Sequence, residues 1–277
     1  YGKGLLRQLL PYSVAASRRN ALLRRAAHHP DLSEIDERVQ YYNKRVDGFD
    51  AADAPMVREV DRSRSRYFLD LDAFSRGVGP SRRLHYLFGD VTAVPNAPTI
   101  VKSRPIGPDN GNSILLKLDK LRHFRWTPDP VPFRDKKDSA VWRGTPLSPQ
   151  RAQFVRTFYA HPTFDIGHSS RLVDDLPPKR SLTHREQKEH KFFVSLEGHD
   201  VATNLKWAMA SNMLVMSPRL KYETWFMEGR LEPGKHFVLL KDDCSDLEEK
   251  VDYYASHLDA AEEIIHNAHA WIDLFTD

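Results

Sequence analysis

The sequence predicts an α/β protein whose second half is doubly wound, and two observations carry that prediction. Strand-like and helix-like runs alternate regularly beyond residue 130, which implies right-handed βαβ units and a parallel sheet. A proline cluster, Pro128 to Pro132, separates this half from a less regular first half. The limits that follow are 1–128 for an N-terminal domain and 129–277 for a C-terminal one.

Each element has its own signal. In the first half, "LSEIDERVQYYNKRV" has helical spacing, with Ile35, Val39, Tyr42 and Val46 on one face. Residues 47–82 form a polar stretch holding "YFLDLDAF". "HYLFGD" and "PTIVKS" follow as two short buried strands, and "NSILLKLDKLRHFRW" as a strand or short helix. In the second half "SAVWRGT" is a strand. "SPQRAQFVRTFYAH" is a helix with Ser148 as its N-cap and Pro149 at its first position. "TFDIG", "KFFVSLEG", "MLVMSP" and "HFVLLKD" are further strands. "LTHREQKEH", "DVATNLKWAMAS", "DLEEKVDYYASH" and "LDAAEEIIHNAHAWIDLF" are helices, and "YETWFMEG" is a helical turn ended by Gly229.

The bulk properties narrow the classes. With 40% apolar residues and a net charge of +3, a folded, mildly basic, soluble protein is expected. No run of apolar residues is long enough to span a membrane, and no secretory h-region is visible. The single cysteine, Cys244, excludes an internal disulfide and suits a reducing compartment. The front of the chain is uneven: Lys3, Arg7, Arg18, Arg19, Arg24 and Arg25 precede the first acid, Asp31, and leucines recur beside them. That pattern is either a basic amphipathic segment resting on anionic lipid or a solvated helix packed by its leucines. Nucleic acid is not favoured as a partner, because no aromatics are interleaved to stack on bases.

Ligands of doubly wound sheets sit at the carboxyl ends of strands. Two seams there carry ligand-type residues. At the first, Arg143 offers a fork of donors for phosphate oxygens, Gly144 permits close backbone approach and Thr145 adds a hydroxyl. At the second, Gly198, Asp200, Thr203 and Asn204 surround the start of a helix, whose free N–H groups suit an anion. Asp200 there either caps the helix or meets the ligand. Two such loops in one domain suggest a nucleotide diphosphate.

"AVWRGTPLSPQR", "KFFVSLEGHDVATNLKWAMASNMLVM" and "YETWFMEGRLEPGKHFVLLKDDCSDLEE", in that order and spacing, resemble glycosyltransferase family 90. That family includes protein O-glucosyl- and O-xylosyltransferases, fungal capsule-associated proteins and bacterial lipopolysaccharide glycosyltransferases. The chain looks most like the bacterial group, from about Tyr86 to Leu274. The resemblance implies a GT-B-like fold of two Rossmann-like domains facing a cleft, with C-terminal helices. It also implies an inverting, metal-independent transfer from a UDP-sugar held mainly by the C-terminal domain.

By this resemblance Arg143, Gly144 and Thr145 match the family's Arg-Gly-Ser element at the diphosphate. Lys191 and Gly198 match the strand and turn before its donor-site helix, and Lys206 lies on that helix. Ala202-Thr203-Asn204 stands where eukaryotic members carry Ser-x-Arg, so that arginine is absent, leaving Lys206 or Lys191 to compensate. Trp225 and Glu228 lie in the "TWFMEG" segment, where an aromatic stacks on base or sugar or packs the core. "LFGDVTAVPNAPTIVKS" looks like the segment bearing the family's catalytic aspartate, which makes Asp90 the expected base for the acceptor hydroxyl. Asp90 also reads as a turn aspartate, and Lys102, Ser103 and Arg104 as acceptor or pyrophosphate contacts or a solvated basic turn.

The expected function is transfer of a glucose-, xylose- or galactose-like sugar from UDP to a glycan acceptor, lipopolysaccharide or lipooligosaccharide. No cofactor is expected beyond the UDP-sugar co-substrate. The expected place is the cytoplasm, peripherally at the inner face of its membrane. Alternatives are a protein O-glycosyltransferase, a non-catalytic nucleotide- or glycan-binding module, and a metal-dependent transferase using the D-x-D pair Asp70 and Asp72. His266 and His269, one turn apart, read as zinc ligands or as part of a solvated helix face.

Overall fold

A computed structural model describes residues 2–45, 47–170, 173 and 176–276, with only the backbone at 3 and 65. Val46, expected on a helix face, lies outside the described residues. The chain forms two compact units. The first is Tyr1–Leu121 with Tyr222–Trp225; the second is Arg122–Lys221 with Phe226–Asp277.

The first unit opens with four helices: α1 (Gly2–Gln8), α2 (Tyr12–Ala27), α3 (Leu32–Tyr42) and α4 (Ser65–Ser75). The helix α4 falls in the stretch read from sequence as merely polar. It forms because Tyr67, Phe68, Leu69 and Leu71 supply a core with Val60 and Leu118. Three short strands, β1 (His85–Tyr86), β2 (Thr99–Val101) and β4 (Ser113–Leu115), form a parallel sheet in the order β1-β2-β4. Among the described residues no helix lies between these strands, so this unit is not doubly wound: irregular loops, one bearing Asp90, make the crossovers.

A two-stranded antiparallel ribbon completes the unit. β3 (Ser103–Pro105) pairs with β9 (Tyr222–Thr224), placing Arg104 opposite Glu223. "YETWFMEG" therefore opens as a strand, because Glu223 is drawn to a buried guanidinium. Arg104, 0% exposed, donates from Nε to Glu223 Oε1 at 2.7 Å, from Nη1 to Ser113 O at 3.0 Å and from Nη2 to Tyr41 O at 2.8 Å. One side chain thus ties the end of α3, β4 and β9 together.

The second unit is a five-stranded, all-parallel sheet. Its strands are β5 (Lys137–Gly144), β6 (Asp165–His168), β7 (His190–Val194), β8 (Leu214–Ser217) and β10 (Val238–Leu239), in the order β10-β8-β7-β5-β6. One face carries Trp142, Ile166, Phe192, Val194, Leu214 and Met216. Against it pack α6 (Pro149–Phe158), α9 (Leu247–Ser256) and α10 (Leu258–Asp273), through Phe154, Val251 and Ile264 among others. On the other face Phe193 meets Trp207 edge-on, with ring centroids 4.9 Å apart. Trp207 belongs to α8 (Leu205–Met209) and stacks on His184 of α7 (His184–Gln187). The short helix α5 (Lys120–His123) spans the boundary between the units.

Ser148 caps α6 as expected, accepting from Arg151 N at 3.3 Å, with Pro149 first in the helix. The expected helix after Asp200 is much shorter than its sequence suggests. It starts only at Leu205, because Asn204 accepts from Ser195 Oγ at 3.1 Å and residues 201–204 turn tightly instead.

Burial holds three imidazoles of the second unit below their usual basicity. His184 is lowered further by Lys188 and Arg125, His190 by Lys137 and Arg143 against Asp165 and Glu189, and His236 by Lys235 against Glu232. Below the ordinary imidazole range near ~6.5, the unfolded chain binds protons that the folded chain refuses. Stability should therefore fall as pH drops through that range toward the lowered folded values. The urea midpoint is expected to be lower at about pH 5.5 than at about pH 7.5.

Candidate functional site

The strand order places β5 between β6 and β7, so the chain winds one way from β5 to β6 and the other way from β7 onward. In open parallel sheets the crevice at the carboxyl side of such a reversal is where ligands sit. Here it is framed by the loop after β5, beginning at Thr145, and the loop after β7, beginning at Ser195. Both seams singled out in the sequence converge on it.

The residue that joins them is Arg151, in the first turn of α6. Its Nη1 donates to Thr145 O at 3.1 Å and its Nη2 to Leu196 O at 2.5 Å. A β-carbon on Gly198 would stand 3.3 Å from the same Nη2. Its Nε is buried with no hydrogen-bond partner among the described residues. Burial, with Arg122 adding and Glu197 opposing, pulls this guanidinium down to about 10. A cation in the first turn of a helix also faces the positive end of the dipole. Thus Arg151 is held where a positive charge is electrostatically unwelcome, and an anion would relieve it. Sequence reasoning missed it, although the cap at Ser148 and the proline at 149 fix the helix start and so place Arg151 beside the strand end.

Other unsatisfied polar atoms belong to the same strand ends. Trp142 Nε1, His168 Nδ1 and Ser170 Oγ are buried without partners among the described residues. His168 is the register neighbour of Gly144, and its Nε2 lies 3.0 Å from Leu176 O. A β-carbon on Gly144 would lie 3.0 Å from the Trp142 ring, which would have to give by a few tenths of an ångström. Gly198 N donates to Asp200 O at 3.1 Å, and Asp200 is buried within the loop after β7, while the N-cap position of α8 is Asn204. Thr203 lies in the turn before that helix.

Several sequence candidates stand elsewhere. Arg143 lies across β6: Nη2 donates to Asp165 at 2.5 Å, Nε to Arg180 O at 3.0 Å and Nη1 to Trp142 O at 3.2 Å. Lys191 is near the amino end of β7, paired with Asp138 at 2.6 Å, on the side away from the crevice. Lys206, 0% exposed, pairs with Glu228 at 2.6 Å between the Phe124 and Phe226 rings. It is a core ion pair and does not replace the missing arginine. Trp225, in the first unit, stacks on Tyr42 with ring centroids 3.8 Å apart and accepts from its hydroxyl through O at 2.9 Å. Arg104 is consumed by Glu223 and backbone carbonyls, as above.

Asp90 lies in the loop after β1, and its carboxylate pairs with the buried Lys102 ammonium at 2.5 Å. Ser103 Oγ, next along β3, meets Val91 N and O at 3.3 Å and pins the same loop. Lys102 and Ser103 thus hold the carboxylate in place.

Asp70 and Asp72 sit on α4, where residues two apart point roughly 200° apart around the axis. Asp70 takes Lys120 N at 2.9 Å, and Asp72 takes Arg76 Nε at 3.1 Å, so the two carboxylates do not converge. His269 Nε2 is 2.9 Å from Ser211 O, and among the described residues no group of three metal-type ligands gathers. Burial and neighbouring Asp246, Asp243 and Asp242 push the Cys244 thiol up to about 12, which leaves it a poor nucleophile. A cavity of about 830 Å³ lined by Arg125, Thr127, His184, Arg185 and Lys188 opens beside the start of β7, away from the crevice.

The family model for Glycosyl transferase family 90 matches residues 119–276, more than half the chain. The chain belongs to glycosyl transferase family 90. Among similar proteins is the O-glucosyltransferase LpsA of Dichelobacter nodosus, 43% identical over 272 residues, covering 96% of this chain and 86% of that protein. An uncharacterized protein 179R of Invertebrate iridescent virus 6 is 30% identical over 104 residues, covering 35% of this chain and 9% of its own length. The family match takes in the whole parallel sheet with the crevice, while the likeness to LpsA extends over the first unit and Asp90 as well.

Lys206 offers a check on its core placement. Lys206→Met leaves Glu228 buried without its ammonium and should cost about 3–5 kcal/mol in urea unfolding. A variant of wild-type stability would remove the pair from the core.

Proposed function

We propose that this family 90 protein is an inverting O-glucosyltransferase that takes glucose from UDP-glucose and places it on a hydroxyl of a lipopolysaccharide-type glycan. The observation that carries the donor assignment is Arg151, a half-buried guanidinium at the strand-order reversal whose buried Nε–H has no partner among the described residues. Leaving-group departure puts negative charge on the β-phosphate, and preorganised donors in a dry crevice stabilise that charge without reorganising. In this reading Arg151 takes the diphosphate charge with no metal ion, while Gly144, Thr145, Gly198 and Asp200 shape the loops around it. The sugar comes from the likeness to LpsA, and UDP and inversion from the family resemblance. The GT-B description belongs to the same proposal, with the donor on the second unit and the base on the first.

Asp90 is assigned as the base. As the acceptor oxygen attacks the anomeric carbon from the face opposite UDP, its proton passes to the Asp90 carboxylate, the bond to the β-phosphate oxygen breaks and UDP departs. Lys102 positions that carboxylate. The work would take place on the cytoplasmic side of the membrane.

Calorimetric titration of UDP, with and without EDTA, tests the donor half. Arg151→Ala should weaken UDP by about 1.5–3 kcal/mol, as for a lost hydrogen bond to a charged group. Arg143→Ala should weaken it less, since its donors are held by Asp165 and carbonyls. Binding seen only with a divalent cation would overturn the metal-free reading, and unchanged affinity in Arg151→Ala would remove that residue from the site. For the base, Asp90→Asn should abolish transfer while leaving UDP affinity within about twofold.

A further inference from the structure

The first unit carries a surface that nothing in the donor chemistry uses. The helix α2 is sixteen residues long and buries none of them. A helix of that length is marginal unless an apolar face is covered. Yet Leu22 is 62% exposed and Leu23 52%, and in and just after α1 Leu5, Leu6 and Leu9 are 59%, 65% and 79% exposed. These leucines stand among Arg7, Arg18, Arg24 and Arg25, and no acid occurs before Asp31.

The surface is positioned. Arg76, buried at the base of this surface, pairs with Asp72, donates to Leu10 O at 3.0 Å and lies 4.7 Å from the Tyr12 ring centroid. The second carboxylate of the D-x-D triplet therefore anchors the start of α2 to the core. Between α2 and the end of α4 runs a groove of about 390 Å³, with Leu10, Leu22 and Phe74 as apolar lining and Arg7, Arg18 and Arg19 as its cations.

We propose that α1 and α2 dock on an anionic lipid surface, with the leucines entering the interface and the arginines meeting the headgroups. Exposed leucines together with unopposed cations are what such a surface rewards. A second copy would set this face against itself, cation to cation, if the contact were two-fold. A nucleic acid would use the arginines but leave the leucines in water, since no aromatic is there to stack. The inference does not depend on the transferase reading, because it rests on the first unit's surface alone.

Co-sedimentation with vesicles tests it. The full chain should bind vesicles of phosphatidylglycerol mixed with phosphatidylcholine and leave pure phosphatidylcholine vesicles unbound, and the binding should weaken as salt is raised. Arg18→Glu with Arg24→Glu and Arg25→Glu should lower the partition at least about tenfold. Leu22→Ser with Leu23→Ser should lower it as well, and this pair carries the test if the charge variant does not fold. Absence of binding to the anionic vesicles, equal binding to both kinds, or full binding by the folded variants would overturn the proposal. So would a dimer in analytical ultracentrifugation that Leu22→Ser and Leu23→Ser dissolve, since the face would then belong to a second copy.

Discussion

The strand order β10-β8-β7-β5-β6 is the constraint on which the candidate site depends. Because every strand is parallel, every carboxyl end opens on the same edge, and the winding reverses only between β5 and β7. Two loops must diverge there, leaving backbone that no neighbouring crossover covers. Arg151 spans the gap by holding a carbonyl of each loop, so the residue that shapes the crevice also charges it. Burial opposes the positive charge of Arg151, so the fold keeps a cation there despite its desolvation.

The charged residues of this protein divide by whether they have a carboxylate. Arg104 has Glu223, Lys206 has Glu228, Lys191 has Asp138 and Arg143 has Asp165. Each pair is structural cross-bracing inside one unit, and removing one partner from a buried pair leaves a charge that the interior cannot solvate. Arg151 is held by carbonyls, with Glu197 acting on it electrostatically but, among the described residues, no carboxylate ion-paired to it. Whether an arginine is spent on holding the fold is decided by its partners, which no tripeptide motif reveals.

That difference also marks how far the sequence could be read. Periodicity and caps located β5, α6, β7, β8 and α10, since each depends on local spacing and on termini such as Ser148 and Pro149. The position of the crevice was legible too, because it follows from alternation of strands and helices. Partner identity was not legible: Lys206 and Glu228 are 22 residues apart, and nothing local says that they meet in the core. Nor was β9, whose extended shape answers to an arginine far upstream and not to its own sequence. The helix α4 was hidden because Arg66 and its two aspartates masked the aromatic face that packs it. Asp90 was singled out through resemblance, and its pairing with Lys102 and the serine that pins its loop are seen only in the structure.

The ribbon between β3 and β9 has a consequence for the birth of the protein. Arg104 is made 119 residues before the Glu223 that neutralises it. A ribosome therefore releases most of the second unit before the first can close, although N-terminal domains ordinarily fold first. Until β9 arrives, the Arg104 guanidinium lacks Glu223 and β3 keeps an open strand edge, the kind of edge that invites mispairing. The two units are thus not separable modules in time: the N-terminal half must wait for a short strand borrowed from the C-terminal half.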